Sequence, residues 1–156
     1  MKTISVIGAG ECDAETAAQA ERVGLLLAQQ GFTLVCGGLG GVMAAACRGA
    51  KTAAGLTIGI LPGPDAAAAN PWVDIAIPTG LGDARNFLVV RSAHAVIAVG
   101  GEFGTLSEIA FALKAGLPVV GLNTWQLAKH GHIEAIIREA ASPAEAVRVA
   151  LELAFG

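Results

Sequence analysis

The chain alternates short, continuously apolar runs with segments of helical periodicity, and this alternation limits the folds that it can adopt. The apolar runs span residues 3–7, 32–36, 56–61, 73–77, 95–99 and 117–122. A strand that is apolar on both faces has to be covered on both faces, which is typical of a parallel sheet between two layers of helices. The pattern predicts a single α/β domain over residues 1–156, with a Rossmann-like, doubly wound parallel sheet.

Local signals place the ends of several helices. Asp13 or Thr16 is expected to cap the first helix, which Gly31 ends, and Ser142 followed by Pro143 is expected to begin the last. A helix is predicted over Thr105–Ala115 and a short turn over Trp125–His130. Residues 65–71 fit either a loop or a short helix.

Glycine clusters follow five of the predicted strands. They lie at residues 8–10, 37–41, 59–63, 80–82 and 100–104. Because the carboxyl ends of parallel strands meet at one edge of a sheet, the clusters are expected to converge on one rim, where ligands of such folds bind.

The richest of these segments is residues 94–116, in which an apolar strand runs through a glycine-rich turn into a helix. The N–H groups of a first helical turn lack intrahelical partners, and the helix dipole favours an anion beside them. Glu108 adds an acid close to this turn, so the segment predicts chemistry on a phosphorylated small molecule such as a nucleotide. The alternative is a structural turn in which Thr105 and Glu108 form a capping box.

Composition narrows the classes of partner. The net charge is −3 and basic residues form no cluster, which argues against nucleic acid polymers and anionic membranes. No apolar run approaches the ~18 residues of a membrane span. The three cysteines show no metal or disulfide spacing and the histidines no metal motif, so no metal site and a reducing, cytoplasmic location are predicted.

Two common nucleotide motifs are missing. The first turn, Gly8-Ala9-Gly10, lacks the third glycine of a dinucleotide fingerprint, and the second strand ends in Cys36-Gly37 without a ribose-binding acid. No P-loop sequence occurs either. No cofactor is therefore predicted.

Four motifs in order resemble a known superfamily. They are Gly37-Gly38-Leu39-Gly40-Gly41-Val42-Met43, Leu61-Pro62-Gly63, Asp83-Ala84-Arg85-Asn86 and the stretch from Gly100 to Glu108. The set, which spans roughly residues 3–122, resembles the Rossmann-like superfamily of the Lonely Guy phosphoribohydrolases, often mislabelled as lysine decarboxylases, and the molybdenum-cofactor carrier proteins.

The resemblance implies roles for particular residues. Arg85 and Glu108 would be the catalytic pair of a phosphoribohydrolase, and Gly101, Gly104 and Thr105 its phosphate-binding turn. The sequence departs from that pattern at four positions. The phosphoribohydrolases have proline in place of Gly100, glycine in place of Glu102, lysine in place of Asn86 and an acid in place of Ser107. This version of the motif is closer to that of the carrier branch. The full predicted ligand-binding set is Gly8, Gly10, Gly37, Gly38, Gly41, Met43, Pro62, Asn86, Gly100, Gly101, Gly104 and Thr105.

Two functions follow as hypotheses. The first is hydrolysis of a nucleoside 5′-monophosphate to base and ribose 5-phosphate, in which Glu108 stabilises an oxocarbenium-like state or orients water while Arg85 holds ribose or phosphate oxygens. The second is non-catalytic binding or carriage of molybdenum cofactor or another phosphorylated ligand. The 54% hydrophobic content and the apolar helix faces also predict a homodimer or tetramer.

Overall fold

A computed structural model describes all of residues 1–156. The strands are β1 (Thr3–Gly8), β2 (Thr33–Cys36), β3 (Thr57–Leu61), β4 (Ile75–Pro78), β5 (Ala95–Val99), β6 (Val119–Leu122), β7 (Leu127–Lys129), β8 (His132–Glu134) and β9 (Ile137–Glu139). The helices are α1 (Ala14–Gln29), α2 (Gly41–Thr52), α3 (Arg85–Arg91), α4 (Phe103–Lys114) and α5 (Pro143–Phe155), with short 3-10 turns at Ala66–Ala68 and Gly82–Ala84.

Seven strands form one sheet in the order β4-β3-β2-β1-β5-β6-β9. All six neighbouring pairs are parallel, and β1 pairs with both β2 and β5 in the middle of the sheet. The predicted Rossmann-like parallel sheet is confirmed. From β1 the chain leads outward through β2, β3 and β4, and β5 starts the other half, so the topological switch point lies between β1 and β5.

Helices cover both faces of the sheet and divide the core into two layers. Buried side chains of α1, α2 and α5 pack on one face, and those of α3 and α4 pack on the other. The α1–α2 contact is close because two glycines face a backbone. A Cβ at Gly24 would lie 1.9 Å from the carbonyl oxygen of Ala46, and one at Gly49 would lie 1.9 Å from that of Glu21.

Most of the predicted boundaries are confirmed. Asp13 caps α1 by accepting the backbone N–H of Thr16, and Ser142 caps α5 with Pro143 in its first turn. Gly31 follows the end of α1 with a φ of +78°. None of the helices combines the length and apolar character that a bilayer span requires.

The segment after β6 differs from the prediction. The expected turn at Trp125–His130 is instead a small antiparallel hairpin of β7 and β8. The edge strand β9 was not predicted, because its three residues include only one apolar side chain, that of Ile137. Helix α4 begins at Phe103 rather than at Thr105.

Candidate functional site

The switch point carries a cavity of about 480 Å³. It opens at the carboxyl ends of β1 and β5 and reaches the first turns of α2 and α4. Its lining residues are Gly8, Ala9, Gly10, Glu11, Leu39, Met43, Asp83, Arg85, Asn86, Glu102, Gly104, Thr105 and Glu108. The β1 turn contributes Gly8, Ala9 and Gly10, where a ligand meets mostly backbone, together with the side chain of Glu11.

Helix α4 directs an open N-terminus at this cavity. Its N-cap is Glu102, and no side chain caps the first turn. The preceding residues Gly100 and Gly101 have φ values of +55° and +107°, which favour glycine and let the chain turn sharply from β5 into the helix. Thr105 lies inside the helix, so the capping-box interpretation of Thr105 and Glu108 is wrong.

Helix α2 presents a second N-terminus without a side-chain cap, beside the β1 turn. The backbone N–H of Val42 donates to the carbonyl of Ala9 at 3.0 Å. A Cβ at Gly41 would lie only 2.2 Å from that same carbonyl oxygen, so this close approach requires glycine. The approach brings Met43 to the cavity wall.

Arg85 provides the positive charge of the cavity and is only 8% exposed. One guanidinium nitrogen, Nη2, donates to the carbonyl of Gly37 at 3.4 Å, and the other, Nη1, donates to the side-chain oxygen of Asn86. Its Nε is buried without a hydrogen-bond partner. The guanidinium is therefore fixed between the β2 turn and α3, with donor capacity left over for an anion.

A chain of hydrogen bonds links this arginine to the first turn of α4, which is the predicted phosphate-binding turn. Asn86 Nδ2 donates to Ser107 Oγ at 3.1 Å, and Ser107 Oγ donates to the carbonyl of Gly104 at 2.6 Å. Asn86 is 5% exposed, so both ends of its amide are used in a buried setting. Ser107 was missing from the predicted site residues, since a serine in the second turn of a helix carries no distinctive sequence signal.

Glu108 lies across the cavity and is only 6% exposed. It makes no hydrogen bond, and no ion pair within 4.0 Å joins it to Arg85. Burial raises the pKa of Glu108 to about 8, against a smaller lowering by the charge of Arg85. At neutral pH the carboxyl group is therefore mainly protonated.

The predicted site residues divide into two groups. Eight of them line the cavity: Gly8, Gly10, Met43, Arg85, Asn86, Gly104, Thr105 and Glu108. The other six, Gly37, Gly38, Gly41, Pro62, Gly100 and Gly101, lie outside its lining and shape the turns around it. No group of three or more histidine, cysteine or acidic side chains is arranged to hold a metal ion.

The comparison with protein families decides the affiliation. The model of the SLOG cluster4 family matches residues 1–149. The chain belongs to this family. The predicted resemblance to the superfamily of Lonely Guy phosphoribohydrolases and molybdenum-cofactor carriers is thereby confirmed.

Similar proteins are known for this SLOG cluster4 member. An uncharacterized protein of Archaeoglobus fulgidus is 53% identical over 120 residues, which are 77% of this chain and 79% of the relative. The molybdenum cofactor binding protein of Rippkaea orientalis is 41% identical, with a TM-score of 0.87 over 95% of this chain and 94% of the other. The molybdenum cofactor carrier protein of Chlamydomonas reinhardtii is 36% identical, with a TM-score of 0.86 over 98% of both chains.

Proposed function

We propose that this protein binds and carries a phosphorylated small molecule, and that its cargo is molybdenum cofactor. The observation that carries the proposal is the uncapped N-terminus of α4, which opens into a cavity beside the buried cation of Arg85. Free N–H groups and a fixed guanidinium are the donors that bind a phosphate. The similarity to the cofactor-binding protein of Rippkaea orientalis and to the Chlamydomonas carrier supports this choice of cargo.

Protonated Glu108 fits an anion-binding cavity. A neutral carboxyl group does not repel a phosphate and can donate one hydrogen bond to it. Its raised pKa also bears on the enzymatic alternative, because a neutral acid lends no negative charge to an oxocarbenium-like state. The raised pKa therefore argues against a mechanism in which Glu108 acts as an anionic stabiliser.

The first experiment measures the cargo directly. The protein is purified from a host that makes molybdenum cofactor, and bound molybdenum and pterin are counted per chain. Gly104→Val should lose both, since its Cβ would project into the cavity where nothing lies within 4 Å. Gly63→Val is the matched control, because a Cβ there also meets open space but lies outside the cavity. Equal loading of the Gly104→Val variant would contradict the proposal.

Hydrolysis of nucleoside 5′-monophosphates remains the second candidate, favoured by the buried carboxyl of Glu108 near Arg85 in the same cavity. In its protonated form Glu108 is a general acid for the departing base. Release of ribose 5-phosphate from a panel of monophosphates tests this function. If turnover occurs, Glu108→Ala should abolish it while retaining much of the binding, and tight binding without release would support the carrier.

A further inference from the structure

Glu102 separates the cavity from a neighbouring groove to which the proposed function gives no role. Glu102 lines both the 480 Å³ cavity and a shallow depression of about 490 Å³ that it shares with Gly101 and residues 123–126. Residues 123–126 also border a deeper hollow of about 310 Å³ that reaches Glu139. We call these two adjoining hollows together, lined by Glu102, Asn123, Thr124, Trp125, Gln126 and Glu139, the β6 groove.

The indole ring of Trp125 forms one wall of the β6 groove. The indole N–H of Trp125 donates to the backbone carbonyl of Glu102 at 3.2 Å, which fixes the ring beside the N-cap of α4. Phe103 lies against it, with ring centroids 5.6 Å apart, and is 76% exposed. An exposed aromatic pair next to a phosphate-binding turn offers a stacking surface to a planar ring attached to that phosphate.

The loop that carries Trp125 is fixed to the phosphate-binding turn. Thr124 Oγ1 donates to the carbonyl of Gly100 at 2.5 Å, so the groove and the turn are held in a set relation. A ligand that spans both parts therefore meets a surface that is already ordered before binding.

The far end of the β6 groove is polar. Gln126 Nε2 donates to Glu139 Oε1, whereas Glu139 Oε2 has no partner in the protein. A carboxylate is acceptor-only, so it pairs best with two neighbouring N–H donors. The edge of a 2-amino-4-oxopyrimidine ring, as in guanine and pterins, presents a ring N–H beside an amino group, whereas the adenine edge presents an amino group beside an acceptor nitrogen.

The distances between strands suit such a ligand. Neighbouring strands lie about 4.8 Å apart, so the ends of β5 and β9, with β6 between them, are roughly 10 Å apart. A phosphate at the β5 turn, one sugar-sized ring and a heterocycle cover about this length. We propose that the β6 groove binds the 2-amino-4-oxopyrimidine ring of the phosphorylated ligand, stacked on Trp125 and read by Glu139. This inference rests on the proposed function, since it places the phosphate in the α4 turn.

The experiment uses three soluble probes and isothermal titration of the intact protein. Ribose 5-phosphate tests the phosphate cavity alone. GMP adds the 2-amino-4-oxo ring, and AMP adds an adenine ring, whose edge lacks the two neighbouring N–H donors. GMP should bind about tenfold or more tightly than ribose 5-phosphate, and more tightly than AMP. Trp125→Ala should reduce GMP affinity about tenfold without changing that for ribose 5-phosphate, and Trp125→Phe should restore most of it.

Glu139→Gln tests the recognition of the ring edge. It should abolish the preference for GMP over AMP, whereas Glu15→Gln, which removes the same charge from an exposed residue of α1 that does not line the groove, should not. Equal affinity of the wild type for all three probes would overturn the inference without contradicting the phosphate cavity. Failure of all three to bind would overturn the inference, whereas the count of bound molybdenum and pterin in the purified protein tests the proposed function separately.

Discussion

Asn86 is hydrogen bonded to Ser107 across the junction of α3 and α4, with 3.1 Å between Nδ2 and Oγ. These are two of the positions at which the motif differs from the phosphoribohydrolase pattern, which has lysine and an acid there. The structure places the two departures in contact. A neutral hydrogen bond therefore lies beside Arg85 and the phosphate-binding turn, and it adds no charge to either.

Removing the serine hydroxyl should loosen the phosphate-binding turn. Ser107→Ala deletes the bonds to both Asn86 and the carbonyl of Gly104, and leaves a buried amide donor unpaired. We expect the affinity for ribose 5-phosphate to fall about fivefold to tenfold, a cost of about 1–1.4 kcal/mol. Ser107→Thr retains the hydroxyl and should bind as the wild type does. Wild-type affinity in Ser107→Ala, by titration calorimetry, would show that the contact does not position the site.

Gly104→Ala should raise the stability of the protein and lower its affinity for a phosphorylated ligand. Alanine costs less conformational entropy than glycine in a helix, and a Cβ at this position meets no protein atom within 4 Å. The free energy of unfolding should therefore rise, by up to about 1 kcal/mol. The affinity for ribose 5-phosphate should fall, because the same methyl group lies where the anion approaches. Urea unfolding and titration of one preparation measure both; a variant that is more stable and binds equally well would place the anion elsewhere.

Glu108 should make the stability depend on pH. Its pKa rises from 4.5 to about 8 on folding, so between these values the folded protein retains a proton that the unfolded chain releases. The free energy of unfolding should then fall by up to roughly 1.4 kcal/mol per pH unit as the pH rises through this window. Glu108→Gln should remove this component, and so be more stable than the wild type at pH 8, with a difference that shrinks towards pH 5.

Denaturant titrations at several pH values between 5 and 8 measure the effect. Glu134→Gln, on the exposed hairpin, controls for the loss of one acidic residue. Parallel profiles for the wild type and Glu108→Gln would show that the buried carboxyl does not hold its proton.

The protein is expected to form a homodimer or tetramer through helices beside the cavity. Phe87 of α3 is 43% exposed and packs edge to face on Phe111 of α4, with ring centroids 5.5 Å apart. An apolar surface of this kind is suited to burial against a second copy. Light scattering coupled to size exclusion should give a molar mass that is a multiple of 15.6 kDa. Phe87→Ser should lower this mass towards that of the monomer. A wild-type mass near 15.6 kDa at micromolar concentration would exclude the oligomer.

The parallel sheet and its rim could be predicted because their causes are local. Five of the six apolar runs form strands that are mostly buried, and each following glycine cluster marks a turn at one sheet edge. The run at residues 73–77 is the exception, because β4 lies at the edge of the sheet and leaves Ile75 and Ile77 45% and 43% exposed. That Arg85 and Glu108 line one cavity could be predicted from the resemblance and the strand order alone. Strand β9 could not be predicted, since Ile137 is its one apolar residue and its pairing with β6 is a tertiary effect.

The burial and raised pKa of Glu108 could not be predicted from the sequence either. The capping-box pattern of Thr105 and Glu108 is a local signal, but the glycines before α4 let the helix begin at Phe103 and move Glu108 into a buried position. Its raised pKa results from desolvation by residues of several elements. The β6 groove likewise depends on the loop at residues 123–126 and on β9, neither of which shows a periodic pattern.

The central place of β1 has a consequence for biosynthesis. Strand β1 is synthesised before every other strand of its sheet, yet it lies in the middle of that sheet, where Ile4 pairs with Ala95 of β5. That pairing has to close a long loop before any of its contacts can form. The crevice between β1 and β5 is therefore completed late, and a nascent chain that stops before β5 lacks the cavity altogether.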